Sequence, residues 1–124
     1  MDASMVEKAV ASLPLGELDL IILENVGNLV CPAETDTGVF KNVTILSIPE
    51  GDDKPLKYPL IFTICDVLVV NKMDYLGMAD FDLDNLRNRV HALNERIHLF
   101  PISCKTSFGI GNWIKWLEKE IAAF

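Results

Sequence analysis

The stretch Val67-Leu68-Val69-Val70 constrains the fold of this chain more than any other. A strand with one wet face alternates apolar and polar residues. A run that is apolar at every position needs cover on both faces, as in a parallel sheet layered between helices. Three further segments read as strands of the same kind: residues 18–23, 43–48 and 99–102. Helical patterns separate them. Residues 4–13 open with Ser4 and Glu7 in capping-box spacing and repeat Met5, Ala9 and Leu13. Pro59 can start a short helix to residue 64, and residues 82–96 carry the stripe Leu83, Leu86, Val90, Leu93, Ile97. Gly109 and Gly111 precede a last helix with Trp113, Leu117 and Ile121 on one face. Residues 25–42 lack periodicity and read as a loop with short helical pieces. The alternation predicts an α/β fold with a mostly parallel sheet flanked by helices, in one domain or part of one over residues 1–124.

Composition narrows the function classes. Half of the 124 residues are hydrophobic, which excludes a disordered chain, and no apolar run is long enough to span a bilayer. The net charge of -7 excludes a generic nucleic-acid surface, which needs clustered Lys and Arg, but leaves local binding of a small anion open. The cysteines, Cys31, Cys65 and Cys104, are odd in number and widely spaced, which suits a reducing, cytoplasmic setting better than a disulfide framework.

In a parallel sheet the ligand sits beyond the C-terminal ends of the strands. Glu24, Glu50, Asn71 and Ser103 all fall at or just after such an end. The sequence Asn71-Lys72-Met73-Asp74 carries the most specific chemistry. Guanine presents its N1–H and N2 amino group as donors on one edge, and a carboxylate at Asp74 would accept both with charge-assisted strength. Adenine has an acceptor at position 1 and no amino group at position 2, so the same carboxylate rejects it. Lys72 can lay its stem and charge over the base, and Asn71 would tie the loop to its neighbours. Ser103-Cys104-Lys105 follows the next strand. Guanine-binding folds often have Ser-Ala-Lys there, with a backbone N–H on the base O6; Cys104 is a small substitute for Ala and keeps that donor.

Other strand-end residues are less specific. Glu24 would hold Mg²⁺ through water or position the attacking water, with Asn25 beside it, and Gly27 would let a backbone N–H approach the γ-phosphate; an ordinary turn gives the same letters. Pro49-Glu50-Gly51-Asp52-Asp53 is an acidic turn whose Glu50 and Asp52 could meet phosphate-bound Mg²⁺, a partner chain or solvent. A lone cysteine such as Cys31 is more often a small buried hydrophobe than a ligand, and one thiolate cannot complete a Zn²⁺ or Ni²⁺ site. His91 and His98 lie away from the strand-end face, and Cys65 falls in an apolar run that reads as core.

The stretches ENVGNLVCPAE, EGDDKPLKYPL, VVNKMD and FPISCKT resemble, in order and spacing, those of the HypB family of nickel-incorporation GTPases that serve hydrogenase maturation. The similarity runs over nearly the whole chain. It implies a P-loop GTPase of the SIMIBI type that binds GTP or GDP with Mg²⁺, forms a homodimer, and passes nickel towards the hydrogenase large subunit with other maturation proteins. It implies that Asn71, Lys72 and Asp74 read guanine, that Glu24 is the acid after the strand, and that Cys31-Pro32 is the cysteine of a nickel or zinc site at the dimer interface.

The departure from the family lies upstream. No Gly-x-x-x-x-Gly-Lys-Ser/Thr occurs in the 124 residues, and the family's Cys-His pair is absent. The expectation is a C-terminal portion that reads the base, lacks the phosphate cradle and is impaired in hydrolysis. The alternative is a non-catalytic interaction or dimerisation module derived from such a GTPase.

Overall fold

The computed structural model describes residues 1–124. They divide into two compact units, Met1–Phe40 and Lys41–Phe124.

The first unit is built around helix α1, Ala3–Ala11. Its cap is Asp2, whose Oδ1 accepts from the Met5 N–H at 3.0 Å, so the expected Ser4–Glu7 box is not formed. Capping two residues earlier, at Asp2, places Ser4 inside the first turn, where it cannot cap. A single 3₁₀ turn follows at Leu15–Glu17, and the short helix α2, Cys31–Glu34, is the helical piece within the expected loop. Residues 18–23 are not a strand. The sheet has three strands, and none of them comes from this run. An extended segment becomes a strand only where a neighbour takes its backbone hydrogen bonds, and this one makes no ladder. Ile22 is 80% exposed.

The second unit holds the sheet: β1 Val43–Ser47, β2 Val67–Asn71 and β3 His98–Pro101, in the order β1-β2-β3 and parallel throughout. Register runs from Val43 opposite Val67 to Ser47 opposite Asn71, and from Val67 opposite His98 to Val70 opposite Pro101. The connections are helical. Helices α3, Lys54–Lys57, and α4, Pro59–Ile64, are separated at Tyr58, because Pro59 lacks the N–H that a continuous helix would need. Helix α5, Leu83–Leu93, starts at Asp82, whose side chain accepts from the Asn85 N–H. Helix α6 is Ile110–Ala123.

Strand β2 is buried on both faces, as its composition demands. Val67 and Val69 pack with Ile102 against Phe100, Ile110, Trp113 and Trp116, so α6 covers one face. Trp113 and Trp116 stack with ring centres 5.6 Å apart, and Phe100 meets Trp113 edge-on at 5.5 Å. Leu68 and Val70 point the other way and are fully buried, as are Phe62 of α4 and Leu86 and Val90 of α5. Truncating one of these to Ala costs about 2–5 kcal/mol in a close-packed core. Edge strand β1 behaves differently from the expected two-sided cover. Thr44 and Leu46 are buried while Ile45 is 64% exposed. No helix is long and apolar enough to cross a membrane.

Candidate functional site

The C-terminal ends of β2 and β3 are laced together by side chains and backbone. Ile102 donates its N–H to Val70 O at 2.7 Å, and Met73 donates to Ile102 O at 3.0 Å. Between them Lys72 takes a left-handed backbone, φ 62° and ψ 38°, which costs a non-glycine residue about 1–2 kcal/mol. Asn71 holds that turn. Its Oδ1 accepts from the Lys72 N–H at 2.7 Å and from the Cys104 N–H at 3.2 Å, so one amide joins both strand-end loops. This is the tying role expected of Asn71. It also engages the Cys104 N–H, at the long end of hydrogen-bond distances, so a base O6 at that point would share the donor with Asn71.

Ser103 is fully buried behind the loop. Its Oγ donates to Asp74 Oδ1 at 2.7 Å and accepts from the Thr106 N–H at 3.1 Å, while its own N–H bonds Phe108 O at 2.9 Å. A carboxylate has about four acceptor positions, so one hydroxyl fixes its rotamer and leaves capacity for two further donors. In front lies a depression of about 260 Å³ lined by Asn71, Lys72, Asp74, Tyr75, Cys104 and Lys105. Five of these six are residues expected from sequence. Tyr75 was not. Motif logic names the hydrogen-bonding letters, and the signal that could have found it is an aromatic ring directly after Asp74.

Glu50 and Asp52 do not face that depression, and the structure gives both carboxylates protein partners instead. Ser47 and Glu50 form a capping box around the 3₁₀ turn Ile48–Glu50, with Ser47 N–H and Oγ both donating to Glu50 Oε2, at 2.6 and 2.9 Å. Asp52 Oδ2 accepts from the Asp82 N–H at 2.6 Å, and Arg89 Nη1 bonds both Asp52 O and Oδ1, at 2.8 and 3.1 Å. These bonds anchor the acidic turn to the start of α5. They account for both side chains without a phosphate. Neighbouring Asp53 lies below the usual carboxylate range because Lys57 bonds it, at 3.1 Å.

In the first unit Glu24 is exposed, and it follows irregular chain rather than a strand. Asn25 Oδ1 accepts from the Val26 N–H at 2.8 Å. Gly27 has open space where a Cβ would stand, so nothing local requires glycine there. Cys31 is exposed at the first position of α2. Asn28 sets it: its Oδ1 accepts from the N–H groups of Val30 and Cys31, at 2.9 and 2.8 Å. No three His, Cys, Asp or Glu side chains are grouped as a metal site requires. The donor set of this chain alone therefore does not fit a closed Zn²⁺ site. His98 opens β3 at the far end of the sheet, and the Nε2 of His91 faces Ile97 O at 3.3 Å, both remote from the depression as expected. Cys65 is core, with its thiol pushed up to about 11 by burial.

Comparison with known proteins agrees with this geometry. The family described as CobW/HypB/UreG, nucleotide-binding domain, matches residues 1–101. The hydrogenase maturation factor HypB of Azotobacter vinelandii is 42% identical over 120 residues, covering 97% of this chain and 40% of that protein. HypB of Escherichia coli K12 is 39% identical over 123 residues, covering 99% of this chain and 42% of the relative. The chain thus spans about two-fifths of the length of these relatives. A crystal structure of Helicobacter pylori HypB in complex with nickel superposes with a TM-score of 0.92 at 33% identity, over 99% of this chain and 59% of that one. Archaeoglobus fulgidus HypB gives 0.89 at 31%, over 98% and 59%. With a parallel α/β sheet, a depression at its strand ends and this sequence match, the chain belongs to the CobW/HypB/UreG family of nucleotide-binding domains, and its similarity within that family is to HypB.

Proposed function

We propose that this chain supplies the guanine-recognition part of a HypB-like GTPase that delivers nickel in hydrogenase maturation. The observation that carries the reading is the Ser103–Asp74 hydrogen bond beside the depression at the ends of β2 and β3. A carboxylate held in one rotamer presents its free acceptor positions in a fixed plane. The guanine N1–H and N2 amino group match that plane, and the Lys72 stem lies beside it. Adenine would bring an acceptor against an acceptor, an arrangement that costs about 1–3 kcal/mol. Supporting evidence comes from the sequence similarity to HypB and from the superposition on the nickel-bound Helicobacter pylori protein.

Hydrolysis needs a phosphate cradle, the largest source of electrostatic stabilisation in phosphoryl transfer. None of the 124 residues forms a Gly-x-x-x-x-Gly-Lys-Ser/Thr loop. The chain by itself is therefore expected to release phosphate from GTP no faster than its Glu24→Ala variant, and turnover above that control contradicts this part of the reading. Nickel is cargo in this scheme, met by the Cys31 thiolate. Dimerisation on nucleotide binding, transfer to the hydrogenase large subunit and a cytoplasmic setting rest on the resemblance to HypB. Calorimetric titration with GDP and ADP tests the base-reading claim: GDP is expected to bind more tightly, and equal affinities contradict it.

A further inference from the structure

The depression at the strand ends has one wall that hydrogen bonding does not explain. Asn71, Lys72, Asp74, Cys104 and Lys105 bring amide, charged or thiol groups, and Tyr75 brings the only aromatic ring. Tyr75 is 40% exposed, so part of its surface is open to a ligand. Its backbone is nevertheless fixed. The Tyr75 N–H donates to Lys72 O at 2.9 Å, closing the turn that begins at the left-handed Lys72. The ring is therefore carried on the same short 3₁₀ segment, Met73–Met78, as the acid that reads the base. Ser103 anchors that acid from behind. An exposed ring on an anchored turn, next to a carboxylate aimed at the same depression, is arranged to meet a flat ligand.

We infer that Tyr75 is a positioning residue for the nucleotide, covering the purine with its ring and setting affinity without setting base identity. This rests on the guanine-recognition reading above and deepens it. The physical division is clear. Asp74 contacts the edge of the base, where guanine and adenine differ. A ring contacts the face, and every purine has a comparable π-face, so stacking strengthens binding of all of them. Tyr75 should thus move the GDP and ADP affinities together, while Asp74 should move their ratio.

The test uses the 124-residue chain with GDP, IDP and ADP, in the wild type and in Tyr75→Ala, Tyr75→Leu and Tyr75→Phe, with affinities from proton NMR titration. Tyr75→Ala is expected to weaken all three nucleotides by about tenfold, within the range for loss of a base–aromatic stack, and to leave the GDP-to-ADP ratio within twofold. Tyr75→Phe should retain wild-type affinity. Tyr75→Leu keeps an apolar side chain and loses the ring. It should abolish the upfield ring-current shift of the purine H8 that the wild type and Tyr75→Phe produce. Thermal melts of the variants within a few degrees of wild type establish that the fold is intact. A GDP preference in the wild type, with affinities in Tyr75→Ala unchanged and no ring-current shift, overturns the Tyr75 inference and leaves the Asp74 reading standing. A change in the GDP-to-ADP ratio in Tyr75→Ala also overturns it, since the ring would then be reading the edge. No GDP preference in the wild type overturns the guanine reading itself, and this inference with it.

Discussion

Ser103 Oγ donates a 2.7 Å hydrogen bond to Asp74 Oδ1, joining the loop after β3 to the loop after β2. Ser103 is fully buried, and the same hydroxyl accepts from the Thr106 N–H. One side chain thus sets both the rotamer of Asp74 and the turn that follows Ser103. Ser103→Ala should lower the GDP preference over ADP by roughly tenfold or more, in line with about 1.5–3 kcal/mol for a hydrogen bond to a charged group. It should lower global stability by about 1.5–3 kcal/mol. Calorimetry and urea unfolding on the same variant check both. A preference unchanged while stability falls would show Ser103 to be a structural residue only.

Gly109 is a second fixed point, because it brings the start of α6 against the end of β3. Its φ is +71°, and a Cβ there would collide with the Pro101 carbonyl oxygen. Gly109→Ala should destabilise the chain by more than the roughly 1–3 kcal/mol of a strained backbone alone. Gly111 is the control, since its Cβ position is open and it lies within α6. Gly111→Ala should be neutral or stabilising by about 0.5–1 kcal/mol. Chemical denaturation of the two variants distinguishes them.

Cys65 gives a pH dependence. Burial raises its thiol from 9.0 to about 11 in the folded state. The folded chain keeps the proton while the unfolded chain loses it first. The stabilisation is therefore fully present below pH 9 and is lost as pH rises from 9 to 11. The slope in that window is at most about 1.4 kcal/mol per pH unit for one group. Denaturation of wild type and Cys65→Ala between about pH 8 and 11 should show a decline from this thiol only in the wild type. Thiol labelling at neutral pH should modify exposed Cys31 and Cys104 quickly and Cys65 only on unfolding.

Cys31, exposed at the start of α2 and set there by Asn28, is the thiol proposed to meet nickel. A single thiolate is short of the four ligands of a closed site. Binding should be weak and sub-stoichiometric, with thiolate-to-nickel charge-transfer absorption that disappears in Cys31→Ala and persists in Cys65→Ala. Loss of the band in Cys104→Ala alone would move the contact to the other exposed cysteine.

Legibility from sequence followed the range of the forces involved. β2 was legible because a strand apolar at every position has few other places to go, and the helix start at Pro59 is local chemistry. Residues 18–23 misled because their letters say what a segment would do beside a neighbouring strand, and the sheet provides no ladder for them. Ser4 and Glu7 matched a capping box by spacing, while the box that forms is Ser47 with Glu50, hidden behind what read as strand. Asp52 looked available for phosphate because its partner Arg89 lies 37 residues away. The gathering of Asn71, Lys72, Asp74, Cys104 and Lys105 around one depression was legible because strand-end motifs are contiguous, whereas Tyr75, which adds a ring to the lining, belongs to no such motif.

Asp74→Asn tests the central claim most directly. Guanine has donors at N1 and N2, where xanthine has a carbonyl oxygen in place of the N2 amino group, and an amide can donate where the carboxylate only accepts. Affinities of wild type and Asp74→Asn for GDP and xanthosine diphosphate should cross over: the wild type prefers GDP, and the variant loses that preference and gains affinity for xanthosine diphosphate. An Asp74→Asn chain that keeps the wild-type ratio of the two nucleotides would contradict the assignment of Asp74 as the residue that reads the base.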